Sequence, residues 1–283
     1  MQAGQFSRTA LGAAGHRAAH QILEGGSVFA DPLALPILGA EAQAAIEKAK
    51  AQPQKRGLRL FIALRSRFAE ESARAAMKRG ARQIVVLGAG LDTFAYRLAA
   101  PPGLRVFEVD HPATQAEKRR RLAAARVAEP AHVDYVGCDF ETQTFIDALA
   151  AAGFDSHRPA FVFWLGVTVY LTHEAVYATL AAIAALPGGA EIVFDYAAPP
   201  EAIDHPAARA AHEELARNVA AAGEPLRAYF DPPALGARLA ALGFREIEDC
   251  AANVVAARYA PGREPMRRSG GARLLRAATT PTA

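Results

Sequence analysis

Residues 83–93, QIVVLGAGLDT, join a short apolar run to a turn that contains two glycines. The run Gln83–Leu87 is almost continuously apolar, as expected for a strand covered on both faces of a parallel sheet. Gly88 and Gly90 lack side chains, so the backbone of the turn can approach a ligand closely. This stretch therefore predicts a buried strand that carries a ligand-binding turn at its carboxyl end.

Further apolar runs alternate with alanine-rich helical stretches, which is the pattern of a mostly parallel sheet covered by helices. Four such strands are predicted after the first, at 104–109, 133–138, 160–165 and 191–196. The last two runs, 244–249 and 253–259, are too close for a parallel crossover, so we expect them to pair as an antiparallel hairpin. This α/β fold, a seven-stranded sheet with a C-terminal antiparallel hairpin, matches the Rossmann-like arrangement of class I methyltransferases.

About eighty helical residues precede the first strand, with breaks at Phe29–Pro32 and at Gln52–Pro53. We interpret residues 1–80 as an N-terminal helical cap over the open ends of the strands. Residues 81–260 would then form the ligand-binding Rossmann-like domain. A helical stretch at about 200–225, inserted after the fifth strand, is predicted to be a second part of the lid.

The positive charge of the chain is concentrated near its end. Residues 261–283 contain five arginines and one acid, a net charge of +4 where the whole chain carries +3. A basic segment of this composition predicts a flexible tail rather than a nucleic-acid site. The run Lys118–Arg121 is interpreted as the exposed side of a helix. We therefore expect no nucleic-acid partner.

The composition, 52% hydrophobic and 22% charged, is ordinary for a globular protein, and no apolar run predicts a membrane span. Charged residues or histidine interrupt every apolar run of the first thirty residues, so we expect no secretory signal and a cytoplasmic protein. Cys138 and Cys250 fall in predicted strands and lack metal-ligand spacing. Reduced structural thiols and no metal site are expected.

Three acidic or aromatic residues follow the second and third strands, at the sheet edge that carries the glycine turn. Asp110 comes twenty residues after Gly90, about the spacing at which an acid reaches a ribose diol in nucleotide-binding units. Asp139 and Phe140 can accept a hydrogen bond from an adenine amino group and pack on its ring. These residues predict a site for an adenosyl group.

The next residues distinguish two classes of cofactor. A dinucleotide rests its pyrophosphate on the helix start and favours a third small residue there. Thr93 takes that position, and the neighbouring Asp92 would repel a pyrophosphate. Since S-adenosylmethionine carries an ammonium and a sulfonium, it is compatible with this acid, whereas a nicotinamide dinucleotide is not.

The sequence resembles the leucine carboxyl methyltransferase-like family, including its bacterial branch of S-adenosylmethionine-dependent enzymes. The resemblance runs from about Thr9 to Tyr196 and more weakly to about residue 259. Its motifs are Thr9-Ala10 through Arg17–His20, Phe29–Ala34, Arg65–Phe68, Val86–Thr93, Phe107–Pro112, Asp139-Phe140 and Gly166–Leu171.

The resemblance implies a set of cofactor-binding residues. Arg65 would hold the methionine carboxylate, with Arg67 as a competitor for that role and Arg17 as a possible assistant. The turn at Gly88 and Gly90 would line the cofactor, Asp110 would bind the ribose, and Asp139 with Phe140 would flank the adenine. It also implies methylation of an oxygen, on a protein's terminal carboxyl or on a small molecule, and we favour a small-molecule acceptor.

One position departs from the family pattern. The family usually has a glutamate before the Gly-Val-Thr segment, where this chain has Leu165. Asp92 or a backbone carbonyl could substitute for it. The departure keeps open a non-catalytic S-adenosylmethionine-binding or adapter protein, and an NAD-dependent oxidoreductase is a third alternative. No catalytic residue is identified, and the choice between a carboxylate and a hydroxyl acceptor, like the oligomeric state, stays open.

Overall fold

The computed structural model describes residues 6–139, 143–203, 205–221, 226–259 and 271–280. Three helices precede the first strand, namely α1 (Arg8–Leu23), α2 (Ala42–Ala51) and α3 (Arg56–Lys78). Strands and helices then alternate in the order β1 (Gln83–Leu87), α4 (Phe94–Arg97), β2 (Arg105–Asp110), α5 (Pro112–Ala124), β3 (Val133–Gly137), α6 (Phe145–Ala151), β4 (Ala160–Trp164), α7 (His173–Ala184) and β5 (Ala190–Ala197). The remaining elements are α8 (Pro206–Ala221), α9 (Pro232–Leu242), β6 (Glu246–Ala251), α10 (Ala252–Tyr259) and β7 (Ala272–Ala278).

The seven strands form one mixed sheet in the order β3-β2-β1-β4-β5-β7-β6. β2 pairs with β3 and β4 with β5 in parallel, whereas β7 is antiparallel to both β5 and β6. Every residue of β1, β4 and β5 is buried, which confirms that these three strands are covered on both faces. The predicted fold class is therefore confirmed.

The antiparallel pair exists, but its second strand is not the predicted one. Residues 253–259 lie in the helix α10, and the strand that pairs with β6 is β7. Leu274, Leu275 and Ala277 of β7 are buried in the core, and this burial outweighs the local preference of the two valines in the earlier run.

The same strand corrects the prediction of a flexible tail. Arg273 forms an ion pair with Asp249 (Nε–Oδ1 2.9 Å), and Arg276 forms one with Glu248 (Nε–Oε2 3.2 Å). Two of the five arginines assigned to the tail are thus held in the sheet. Arg263, Arg267 and Arg268 lie outside the described residues.

The structure also corrects the interpretation of the basic run Lys118–Arg121 on α5, which does not form an exposed side of the helix. Lys118 is only 1% exposed, and its Nζ lies 2.7 Å from Oε2 of the equally buried Glu108 on β2. Arg121 is buried as well and pairs with Glu117 on the same helix. Only Arg119 and Arg120 are exposed, so half of the run packs against the protein rather than facing solvent.

The chain divides into two compact units. The first comprises Met1–Glu70 and Val85–Phe154, and the second comprises Glu71–Ile84 and Asp155–Ala283. Breaks between the N-terminal helices fall where the sequence predicts them, and a helix, α8, does follow β5. The cap and lid roles assigned to these helices stay predictions. None of the helices in the described part of the chain combines the length and apolar character needed to cross a bilayer.

Candidate functional site

The glycine turn after β1 is held in a backbone conformation that suits glycine. Gly88 and Gly90 have φ angles of +66° and +48°, in the left-handed region that disfavours residues with a side chain. The N–H groups of Gly88 and Ala89 donate to the carbonyl oxygen of Val109, at 2.9 and 3.2 Å. A Cβ atom added at Gly90 would lie 3.1 Å from the Cβ of Ala10 on α1. The turn therefore needs glycine both for its conformation and for the close approach of α1.

Asp110, the last residue of β2, binds this turn directly. Its Oδ2 accepts a hydrogen bond from the Gly90 N–H at 2.6 Å, and its Oδ1 accepts one from the His111 N–H at 2.7 Å. A carboxylate has about four lone-pair sites, so each oxygen can accept a further hydrogen bond. The structure thus brings Gly90 and Asp110 into contact, while their role in binding a ligand stays a prediction.

The environment of Asp110 makes its carboxyl group easier to protonate than an exposed one. Burial raises the pKa of Asp110 above its ordinary value, although the hydrogen bonds from Gly90 and His111 act in the opposite direction. Additional hydrogen-bond donors at this carboxylate would favour its ionised form. A ligand hydroxyl that donates a hydrogen bond to Asp110 would therefore stabilise the ionised carboxylate.

The third strand leads to the predicted adenine residues. The Cys138 N–H donates to the backbone carbonyl of Asp110 at 2.9 Å, which places the next residue, Asp139, beyond the ends of β2 and β3. Asp139 is half-buried. Phe140 lies outside the described residues, so its predicted packing against an adenine ring is not addressed by the structure.

The two candidate arginines of α3 differ in their surroundings. Arg67 donates from Nη1 to the Val28 carbonyl oxygen at 3.3 Å, a contact that ties α3 to the loop after α1. Arg65 is half-buried and lies near His16 of α1. The pKa of His16 is lowered to about 4, first by burial and then by cations that include Arg59 and Arg65. The binding of a cofactor carboxylate by Arg65 stays a prediction.

A second anchor of the turn was not identified from the sequence. Asp31, which is 1% exposed, accepts hydrogen bonds from Nε of Arg17 (3.2 Å) and from the hydroxyl of Thr93 (2.8 Å). Asp31 also forms an ion pair with Arg97, and Arg17 donates through Nη2 to the Leu91 carbonyl. Arg17, suggested as an assistant at the carboxylate end, is therefore engaged in holding the turn. The sequence signal that could have indicated this contact is the position of Asp31 inside the motif Phe29–Ala34.

Asp92 occupies the start of the helix that follows the turn. Its Oδ1 accepts a hydrogen bond from the Phe94 N–H at 2.8 Å. The helix α4 comprises only the four residues Phe94–Arg97. Because a carboxylate already binds its first N–H and its dipole is short, this helix start is poorly suited to a pyrophosphate.

The second unit contains a comparable turn after β4. Gly166 has a φ angle of +70°, and its N–H donates to Oδ1 of Asp195 on β5 at 2.6 Å. The hydroxyl of Thr168 donates to the backbone carbonyl of Asp195, also at 2.6 Å. Sequence reasoning missed Asp195, although an acid inside the apolar run EIVFDY was a signal, since buried carboxylates need partners. This acid, rather than Asp92, lies beside the segment that contains Leu165.

Among the described residues, no group of three or more histidine, cysteine, aspartate and glutamate side chains is arranged to hold a metal ion.

Two bacterial proteins illustrate the similarity at the level of sequence. The chain is 40% identical over 155 residues to "Putative S-adenosyl-L-methionine-dependent methyltransferase YktD" of Bacillus subtilis, covering 53% of this chain and 50% of that protein. It is 33% identical over 180 residues to a Streptomyces coelicolor protein with the same descriptive name, covering 62% and 63%. The chain therefore spans less than two thirds of the length of these curated relatives.

Solved structures extend the similarity of the fold over nearly the whole chain. A "putative methyltransferase" from Thermobifida fusca matches with a TM-score of 0.61 at 18% identity, covering 94% of both chains. A DUF574 family protein from Streptomyces avermitilis matches with a TM-score of 0.62 at 16% identity, covering 93% of this chain and 96% of that one. At these identities the likeness concerns the fold alone.

The family model of leucine carboxyl methyltransferase matches residues 10–184, which include the glycine turn, Asp110 and the turn after β4. The chain belongs to the leucine carboxyl methyltransferase family.

Proposed function

We propose that this protein is an S-adenosylmethionine-dependent methyltransferase that methylates a carboxylate or hydroxyl oxygen of a small molecule. The observation that carries the proposal is the hydrogen bond between Asp110 and the Gly90 N–H. It joins the acid of the second strand to the glycine turn of the first, in a chain whose family is defined by methyl transfer. The names of its relatives support the same cofactor.

The residues of the first unit fit the chemistry of an adenosyl cofactor. The two oxygens of Asp110 retain acceptor capacity for the ribose hydroxyls, and Asp139 is proposed to accept from the adenine amino group. Gly88 is proposed to leave room for the cofactor along the backbone of the turn, whereas the space that a Cβ would take at Gly90 is already occupied by Ala10 of α1. Arg65 is proposed to pair with the methionine carboxylate, and Phe140 to pack on the adenine.

The reaction places modest demands on the protein. When bound, S-adenosylmethionine supplies a sulfonium-linked methyl group, whose leaving group departs as a neutral thioether. The chain's own contribution is to orient the acceptor and exclude water, so that alignment provides much of the acceleration. A carboxylate acceptor is ionised at neutral pH and needs no base, whereas a hydroxyl acceptor benefits from one.

The predicted cap and lid favour a small acceptor. Helical segments of this kind restrict what reaches the edge of a sheet, and a protein's terminal carboxyl would need a more open approach. The helices α1 to α3 and α8 are the elements to which we assign this restriction.

Leu165 supports a second candidate function. If the family's glutamate is needed to hold the methionine end of the cofactor, its replacement by leucine would leave a protein that binds S-adenosylmethionine weakly or without turnover. Such a protein would act as a non-catalytic binder or adapter.

Two measurements test the proposal. We expect S-adenosylhomocysteine, the reaction product, to give a saturable calorimetric isotherm, and NAD to give none. We expect radiolabelled S-adenosylmethionine to transfer its methyl group to members of a panel of small acids and phenols. Binding of S-adenosylhomocysteine without transfer would favour the non-catalytic candidate, and binding of NAD alone would favour an oxidoreductase.

A further inference from the structure

A buried carboxylate joins the N-terminal helices to the glycine turn within the first unit. The side chain of Asp31, in the loop after α1, is fully buried. Its Oδ2 accepts hydrogen bonds from Nε of Arg17 at 3.2 Å and from the Thr93 hydroxyl at 2.8 Å. Its Oδ1 accepts the Leu33 N–H at 3.1 Å and forms an ion pair with Nε of Arg97 at 3.2 Å. These partners occupy the roughly four acceptor positions of a carboxylate, so the contacts of Asp31 serve the protein rather than a ligand.

The hydroxyl of Thr93 is committed to this contact. Thr93 stands at the N-cap position of α4, but its side chain does not cap that helix. An N-cap threonine ordinarily accepts an N–H from the first turn of its helix, which stabilises the helix. Here the hydroxyl donates to Asp31 and accepts a hydrogen bond from Nε of Arg97 at 3.0 Å. Thr93 therefore links the turn to the loop after α1.

The charges around Asp31 form a balanced and buried cluster. Arg97 also pairs with Glu70 of α3, and its guanidinium lies 5.2 Å from the ring centroid of Phe29. The side chains of Arg17, Asp31, Glu70 and Arg97 are each at most 10% exposed. Because these four groups are two cations and two anions, the loss of one charge would leave another buried without compensation. The cluster therefore holds α1, the loop after it, α3 and α4 together.

One face of α1 also packs along the glycine turn. Ala10, Ala14 and Arg17 are spaced by four and three residues, which places them on the same side of the helix. A Cβ added at Gly90 would lie 3.1 Å from the Cβ of Ala10, and Ala14 is buried in one apolar cluster with Leu91. Arg17 donates through Nη2 to the Leu91 carbonyl. This face of α1 is therefore in contact with residues 90 and 91.

The same residues of the turn contact the acid of the second strand. The Gly90 N–H donates to Oδ2 of Asp110 at 2.6 Å. A displacement of residues 90–93 would consequently change the orientation of the carboxylate to which we assign the ribose. Groups that bind a ligand need such support from the residues behind them, because small errors of position weaken binding.

We propose that Asp31 is a positioning residue of the cofactor site, which holds residues 90–93 through Arg17 and Thr93 so that the turn and Asp110 can bind the adenosyl group. By this inference α1 and the loop after it belong to the cofactor site, in addition to the role of a cap over the acceptor. The inference rests on the proposed methyltransferase function. Asp31 itself contacts neither cofactor nor acceptor and acts through the turn.

The first test compares two variants of Thr93 in the full-length protein, with S-adenosylhomocysteine as the probe. Thr93→Val removes the hydroxyl at nearly constant volume, whereas Thr93→Ser keeps it. We expect Thr93→Val to weaken binding by about tenfold, because the hydrogen bond to a charged group is lost. Thr93→Ser should bind within about threefold of the parent protein, since it still donates to Asp31. Calorimetry well below the melting temperature of each variant measures the affinities.

The second test removes the charge of Asp31. Asp31→Asn should weaken binding of S-adenosylhomocysteine by about 10- to 100-fold, as is typical when a supporting partner of a ligand-binding group is lost. The double variant Asp31→Asn/Thr93→Val should bind within about threefold of Asp31→Asn alone, because both changes act on the same hydrogen bond. Independent effects would instead multiply.

Glu24→Gln is the matched control, because it separates positioning from stability. The side chain of Glu24 is 5% exposed and accepts hydrogen bonds from Arg59 of α3, so it also ties the end of α1 to α3. Its ion pairs are with Arg56, Arg59 and His20 rather than with the turn. We expect Glu24→Gln to lower the melting temperature, as Asp31→Asn does, while its affinity for S-adenosylhomocysteine stays within about threefold of the parent protein's.

Three outcomes would overturn the inference: normal binding by Thr93→Val, no rescue of binding in Thr93→Ser, or a loss in Glu24→Gln equal to that in Asp31→Asn. The pair of Thr93 variants decides the matter if Asp31→Asn fails to fold. A parent protein that binds no S-adenosylhomocysteine would overturn the proposed function, and this inference with it.

Discussion

The turn after β1 and the turn after β4 are built in the same way in two different units. Each places a glycine in the left-handed conformation within three residues of a fully buried strand. In each, an aspartate on a neighbouring strand accepts a glycine N–H at 2.6 Å, Asp110 from Gly90 and Asp195 from Gly166. A carboxylate at a strand end can therefore accept a hydrogen bond from the backbone of a turn whether or not it also binds a ligand.

The two turns differ in the hydrogen bonds that their aspartates accept. Asp110 accepts hydrogen bonds from the N–H of Gly90 in the turn and from the N–H of His111, the next residue, and burial raises the pKa of Asp110. Asp195 supports its turn with both side chain and backbone, since its carbonyl also receives the Thr168 hydroxyl. We assign a ligand-binding role to the first turn and a structural role to the second, and these assignments predict different responses to mutation.

The largest expected effect is at the first turn. Asp110→Ala should weaken binding of S-adenosylhomocysteine by more than about 100-fold, because two hydroxyl hydrogen bonds to a charged group are lost. Calorimetry measures the affinity, and thermal melting checks that the variant is folded. Asp134→Ala, at a half-exposed acid on β3, is the control and should bind normally. An unchanged affinity in Asp110→Ala would remove Asp110 from the site.

A second variant addresses the turn after β4. Asp195→Ala should lower the free energy of unfolding by about 1–3 kcal/mol, because the Gly166 N–H loses its partner. Urea denaturation measures the change. Its affinity for S-adenosylhomocysteine should fall much less than that of Asp110→Ala. If the two variants lose affinity equally, the distinction between a ligand-binding and a structural turn is wrong.

Leu165→Glu sharpens the same comparison, because it restores the glutamate that the family usually has beside the second turn. If that glutamate helps to hold the cofactor, the affinity for S-adenosylhomocysteine should rise by roughly tenfold, as one charge-assisted hydrogen bond would provide. Leu165→Gln, which has the same length without the charge, is the matched control. A weaker affinity in Leu165→Glu would mean that the leucine is part of a site adapted to it.

The smallest expected effect is on pH dependence. Since hydroxyl donors favour the ionised form of Asp110, cofactor binding lowers its pKa, and by linkage the affinity falls as the pH drops through the raised value. We expect S-adenosylhomocysteine to bind roughly threefold more weakly at about pH 5 than at about pH 7. His111→Gln should keep this dependence, which separates Asp110 from its neighbouring histidine. An affinity that rises toward acid pH would contradict the assignment.

Local patterns predicted the central strands and many turns of this chain. Gln83–Leu87 is predicted with its observed bounds, and the side chains of Thr172 and Asp231 cap the helices α7 and α9 that follow them directly. These features depend on residues that are close in sequence: apolar runs, capping side chains and glycines at helix ends. The spacing of twenty residues between Gly90 and Asp110 predicts a ribose-binding acid near the turn, whereas the hydrogen bond between these two residues is known only from the structure.

Other features could not be read from local patterns. Residues 253–259 contain two valines yet form a helix, whereas the basic run at Ala272–Ala278 forms a central antiparallel strand. The sequence predicts Lys118 as a surface residue, but in the structure it is buried and forms an ion pair with Glu108 of β2. Asp195 likewise acquires its significance from its contact with Gly166.

The sequence by itself determined the class of fold, the family, and the acid and glycines at which an adenosyl cofactor is expected. The fold class depends on periodicity and the cofactor residues on their spacing, whereas the family depends on motifs that resemble those of its members. Tertiary structure alone decided which strand completes the sheet and which charges are buried. The physical reason is that burial and hydrogen bonding are properties of residues brought together from distant positions, and they outweigh local preference wherever the two conflict.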